Sequence, residues 1–109
     1  EAYRYKANLL PVGGYYIKKG IPIERNFTTQ TIDIEESDWI YMYTDGFIEQ
    51  IGGKEKSPMN YRQYEEILKK VSNDNVHSVK SNILMTELTN WKGDTQKTDD
   101  ILIIGFQII

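Results

Sequence analysis

The alternation of apolar and polar positions divides the chain into short strands, two helices and a closing apolar run. Residues 28–34 alternate, with Ile32 and Ile34 on one face, and predict a strand. The polar turn Glu35-Glu36-Ser37-Asp38 follows. Residues 39–44 predict a second strand rich in aromatic and β-branched types, with Trp39, Tyr41 and Tyr43 facing one way and Ile40 and Met42 the other. Together the two read as a hairpin, and Asp45-Gly46 ends its second strand with a turn signal. Upstream, residues 3–7 and 15–18 predict short strands, separated by Pro11 and Gly13-Gly14.

The period then changes from two to 3.6. Tyr61, Tyr64, Ile67, Leu68 and Val71 recur at the spacing of an amphipathic helix, with Asn60 as N-cap and Gln63 in the capping-box position. Ser72-Asn73-Asp74-Asn75 ends this helix and is placed to cap a second one. The apolar stripe of that helix is Val76, Val79, Ile83, Leu84, Leu88 and Trp91, and Gly93 is its terminating glycine. Residues 101–106 carry no polar side chain and predict a central strand buried on both faces. Strands, two helices and a final strand make an α+β fold, an antiparallel sheet with two helices packed on one face.

Composition narrows the chemistry. At 109 residues with 39% hydrophobic and 27% charged side chains, the chain has material for one globular domain with a real core. The absence of cysteine removes disulfide scaffolds, zinc ribbons and thiol nucleophiles. His77 alone cannot support a His-rich metal site and reads as a surface or packing residue. The apolar run 101–106 is too short to span a bilayer, and nothing at the start reads as a signal peptide, so a cytoplasmic location is expected.

Charge is uneven. Residues 1–25 hold five bases against two acids, whereas 26–53 hold no base and six acids: Asp33, Glu35, Glu36, Asp38, Asp45 and Glu49. Such a block excludes a nucleic-acid surface, which needs clustered Lys and Arg, and suits a cation site or a solvated edge. Two acidic turns adjoin apolar strands, Tyr43-Thr44-Asp45-Gly46 and Thr98-Asp99-Asp100. If those strands are antiparallel neighbours, Asp45 approaches Asp99 across 54 positions of sequence. Converging carboxylates need protons or a hard cation such as Mg²⁺ or Mn²⁺; read singly, the two segments are a turn and a polar strand cap.

The segment from Asp38 through Tyr43-Thr44-Asp45-Gly46 to Glu49-Gln50 resembles the D-x-hydrophobic-Y-x-[ST]-D-G core of PPM-type metal-dependent protein phosphatases, in their bacterial SpoIIE-like branch. Gly52-Gly53 continues that motif, and Trp91-Lys92-Gly93 with Asp99-Asp100-Ile101 through Gly105 is similar to the branch's closing signature. Lys6-Ala7, Pro11-Val12-Gly13 and Phe27 fit the segment that precedes the first motif. The resemblance covers nearly the whole chain in the right order.

It implies the following expectations. The fold is part of an α-β-β-α sandwich. Asp45 is the metal-bridging aspartate and Asp99 the ligand aspartate of the last motif, both catalytic through metal-activated water. Asp100 is an alternate or outer ligand, and Gly46 is structural, letting the backbone turn beside the metal. Two Mn²⁺ or Mg²⁺ ions serve the complete domain. The reaction is hydrolysis of phosphoserine or phosphothreonine on a signalling protein, such as an anti-sigma-factor antagonist, under an upstream sensor or regulatory domain.

Three departures qualify this. No Gly-Asp motif precedes Asp45, Lys97 stands where the branch often has Gln, and Asn8 replaces a frequent Asp. With its start at Glu1, residues 1–109 are expected to be the C-terminal portion of a phosphatase domain, its N-terminal part absent and its site incomplete and inactive alone. A bare sheet face makes a homodimer of the fragment an expectation. A non-catalytic pseudophosphatase or interaction module is the alternative reading.

Overall fold

The computed structural model describes residues 2–7, 26–74 and 79–109 in full, and 17–18 and 21–22 as backbone. Asn8, Pro11, Val12, Gly13-Gly14, the start of the strand expected at 15–18, Val76 and His77 lie outside the described residues. The elements are β1 (Ile17–Lys18), β2 (Ile21–Pro22), β3 (Trp39–Tyr43), α1 (Gly46–Glu49), β4 (Ile51–Gly52), β5 (Ser57–Pro58), α2 (Tyr61–Asn73), α3 (Lys80–Lys92) and β6 (Ile103–Gln107). Among the described residues these form three two-stranded antiparallel sheets, β1-β2, β3-β6 and β4-β5. The chain is α+β. It divides into two units, 1–33 and 34–109.

In the first unit β1 and β2 form a short ribbon, and the Gln30 side-chain amide donates to the Lys6 carbonyl. Residues 3–7 form no strand, contrary to the sequence reading.

The second unit carries the core and the acidic turns. Its ribbon is not the expected hairpin. Residues 28–34 join no ladder, and β3 pairs instead with β6, in a register that sets Ile40 opposite Phe106 and Tyr43 opposite Ile103. Alternation provides a strand with one apolar face, but only a partner's backbone makes it a ladder. The turn at 35–38 forms as expected, with Ser37 at φ 75° and the Glu35 N–H donating to Asp38 Oδ2.

Helix α2 starts where its chemistry dictates. The Asn60 side chain accepts the Gln63 N–H, and Gln63 Oε1 accepts the Asn60 N–H in return. Tyr64 and Val71 are buried and Ile67 and Leu68 half-buried, while Tyr61 turns out to be exposed. Helix α3 is capped by Val79 with no side-chain bond, so the expected polar cap from residues 72–75 is not what begins it. Its Lys80 ammonium reaches back to the carbonyls of Val71 and Asp74, where the end of α2 concentrates negative partial charge. It also stands 4.6 Å over the Trp39 ring. Gly93 ends α3 at φ 54°, as its position predicts.

The core gathers Phe47, Ile48, Met59 and Tyr64, with Tyr43, Ile103, Leu84, Leu88 and Trp91 packed around it. It lies on one face of the ribbon. On that face the Tyr41 hydroxyl is 2.7 Å from Ser72 Oγ, and its ring lies where a Cβ at residue 105 would stand, so only glycine fits there. Burial outweighs the Ser72 bond and raises the Tyr41 phenol above its ordinary value. On the opposite face Met42, Ile104 and Phe106 are exposed, as is Leu102 just before β6. The final run is therefore not a strand buried on both sides: among the described residues, helices cover one face only.

Candidate metal centre

At the end of β3 the Thr44 N–H donates to the Leu102 carbonyl at 3.0 Å. The Thr44 hydroxyl accepts the Leu102 N–H at 3.0 Å and donates to the Asp100 carbonyl at 3.3 Å. These three bonds fasten the chain ahead of β6 to the residue before Asp45. Gly46 then opens α1, a single helical turn where the sequence suggested a simple turn. The structure assigns Gly46 a different constraint from a tight turn. A Cβ there would collide with the Asp100 carbonyl, so glycine is required for close approach of two backbones.

One turn along, the Glu49 N–H donates to the Asp45 carbonyl at 2.9 Å, which places both side chains on one side of α1. Asp99 arrives from the segment before β6. The carboxylates of Asp45, Glu49 and Asp99 each offer an oxygen, and these oxygens all lie within 4.8 Å of one another. All three residues are exposed. Asp99 Oδ1 accepts the Asp100 N–H at 2.7 Å. Asp100 itself stays out of the cluster: its side chain is fully exposed, 3.7 Å from the Lys97 ammonium.

The antiparallel pairing of β3 with β6 thus juxtaposes Asp45 and Asp99, and Asp100 points elsewhere. Glu49 is the member that sequence reasoning left unassigned. Its signal was present, since it lies four positions after Asp45, the spacing that sets two side chains on one side of a helical turn. Thr44 and Gln50 stand within the quoted motif and were assigned no role, because what they hold becomes visible only in the folded chain.

Three like charges at this spacing repel, and water weakens that repulsion without cancelling it. All the donors are carboxylate oxygens, with no imidazole or thiolate among them, which suits a hard divalent cation such as Mg²⁺ or Mn²⁺. Metals that favour nitrogen or sulfur find no such ligand here.

The family model described as Stage II sporulation protein E (SpoIIE) matches residues 12–108. The chain belongs to the SpoIIE family. That family is one of PPM-type, metal-dependent protein phosphatases. No curated protein matches the chain. Among solved structures, this SpoIIE-family chain is similar to the SiaA-PP2C domain of Pseudomonas aeruginosa, with a TM-score of 0.60 and 24% identity. That similarity concerns the fold. It covers 65% of this chain and 28% of the SiaA chain, so the chain spans under a third of the structure it matches.

Proposed function

We propose that this chain carries the metal-holding edge of a phosphatase that hydrolyses phosphoserine or phosphothreonine on a bacterial signalling protein. The observation that carries this reading is the meeting of Asp45, Glu49 and Asp99 at the place where the family's two acidic motifs come together. In the proposal these three residues hold Mn²⁺ or Mg²⁺, and the complete domain holds two ions. A divalent cation supplies, when bound, the positive charge that offsets a phosphoryl group and acidifies water.

The chain's own residues do the rest. Thr44 and Gly46 hold the Asp45 and Asp99 segments against each other. Lys97, two residues before Asp99 and drawn toward Asp100, offers a cationic contact for the phosphate of an incoming substrate. The exposure of the cluster suits a phosphorylated residue presented on a folded partner, such as an anti-sigma-factor antagonist. The proposal includes an upstream sensor or regulatory domain, a cytoplasmic setting, and no activity from these 109 residues alone. It also includes pairing of two copies of the isolated chain through the bare ribbon face.

The test is hydrolysis of p-nitrophenyl phosphate by the intact protein. Turnover is expected only with Mn²⁺ or Mg²⁺ and is expected to vanish in Asp45→Asn. Metal-independent turnover, or an unaffected variant, overturns the reading.

A second reading has one observation in its favour. Lys97, a cation, stands two residues before Asp99 and pairs with Asp100, which stays out of the cluster. In that reading the domain keeps the fold, binds no metal and acts as an interaction module. Calorimetric titration of the intact protein decides between them, because a module shows no Mn²⁺ binding even at millimolar metal.

A further inference from the structure

The side chain of Gln50 is fully buried, an uncommon place for an amide, and it lies at the end of the first acidic motif without being one of its acids. It follows Glu49 directly, as the residue that ends α1. Its Nε2 donates to the carbonyl of Gln96 at 2.9 Å and to that of Ile51 at 3.1 Å, and its Oε1 accepts the Thr98 N–H at 3.1 Å. Its own carbonyl accepts the Trp91 indole N–H at 2.7 Å. Both amide hydrogens and the amide oxygen are therefore engaged. Two of these three side-chain bonds go to residues 96 and 98, in the irregular segment that delivers Asp99.

We propose that Gln50 is the positioning residue of the carboxylate cluster, holding the Asp99 segment against the helical turn that carries Asp45 and Glu49. The proposal rests on the metal-centre reading above. Its physical basis is the repulsion among the three acids, which pushes the two segments apart whenever no cation lies between them. Thr44 restrains the Asp99 segment on its C-terminal side, through Asp100 and Leu102. Gln50 restrains it on the N-terminal side, through residues 96 and 98. A neutral amide does this without adding a positive charge that would compete with the cation. Withdrawal of the segment would leave a buried amide and two backbone groups without partners, so the clamp opens only at substantial cost.

The test is Mn²⁺ titration of the intact protein by calorimetry, with wild type compared with Gln50→Met, which keeps length and bulk but not the hydrogen bonds. Mn²⁺ affinity is expected to fall about tenfold or more, the scale set by outer partners of metal sites. Amide exchange of Thr98 is expected to accelerate while α2 stays protected. A purely structural role would lower the melting temperature and leave the affinity of the folded protein unchanged. Should Gln50→Met fail to fold, Gln50→Asn keeps the amide and is one methylene too short to reach both partners; the same loss is expected. Wild-type binding that either folded variant retains within about threefold overturns the role of Gln50 alone. No binding by the wild type overturns the metal reading and this proposal with it.

Discussion

The two ends of the β3-β6 ribbon are both acidic, and they use their carboxylates differently. At the Trp39 end, Asp38 bonds the Glu35 N–H across its own turn, and the Ser37 N–H donates to the Ile108 carbonyl while the Ile108 N–H donates to the Asp38 carbonyl. The carboxylate there is spent on local structure. At the Tyr43 end, Asp45 leaves the N-terminus of α1 without a side-chain cap, although capping is the usual work of an aspartate in that position. Glu49 and Asp99 join it. What separates the two ends is that at the Tyr43 end three carboxylates face one another, although Asp99 also accepts the Asp100 N–H, whereas at the Trp39 end Asp38 serves its own turn.

The strongest way to break this comparison is to exchange carboxylates for amides at each end. Glu49→Gln and Asp99→Asn are each expected to weaken Mn²⁺ binding by about 100-fold or more, since even outer partners of metal sites cost 10–100-fold. Asp38→Asn is expected to leave it unchanged, and calorimetry reads all three. Equal losses at both ends would show that bulk negative charge, and not the constellation, attracts the ion.

Backbone demands differ as well. Gly46→Ala drives a methyl into the Asp100 carbonyl, and denaturant unfolding is expected to show a loss of about 1–3 kcal/mol, the range for overpacking. The Tyr43 end also carries a buried cost. Tyr64 packs edge-on to Tyr43, with ring centroids 4.8 Å apart, and its hydroxyl has no hydrogen-bond partner among the described residues. Tyr64→Phe is therefore expected to stabilise the fold by about 1 kcal/mol in the same measurement. At the opposite end Ser37 tolerates φ 75° without glycine, and Ser37→Gly is expected to gain only about 0.5 kcal/mol, the relief of left-handed strain offset by a freer unfolded chain.

Alkaline pH sharpens the contrast last. Burial pushes the Tyr64 phenol well above its ordinary value near 10, and the neighbouring phenols of Tyr43 and Tyr41 add to the shift. The folded protein keeps a proton that the unfolded chain gives up. This contribution to stability is full below pH 10 and falls as the pH climbs from there through the folded-state value. Thermal melts from pH 8 upward are expected to show that loss in wild type and a smaller one in Tyr64→Phe.

Most of the local structure was legible from the residues. Asn60 and Gln63 specify the start of α2 because a capping box involves only neighbours, and Gly93 ends α3 for a similarly local reason. The misreadings at 28–34 and 101–106 share one origin. The alternation at 28–34 and the apolar run at 101–106 describe faces, and a face does not name what covers it. Asp45 and Asp99 were accessible because their motifs are contiguous in sequence. Glu49 needed α1 to form, and Gln50 needed residues 96–98 to arrive from 46 positions away.

The sequence by itself determined α2, the end of α3, the turn at 35–38, the family and the choice of Asp45 and Asp99 as candidates, all of which depend on residues a few positions apart or on contiguous motifs. Only the tertiary structure decided that β3 pairs with β6, and that Glu49 joins the cluster and Asp100 does not. Those outcomes depend on which distant backbones pair and on which carboxylates come to face one another once they have. Neither is a property of any local stretch of chain.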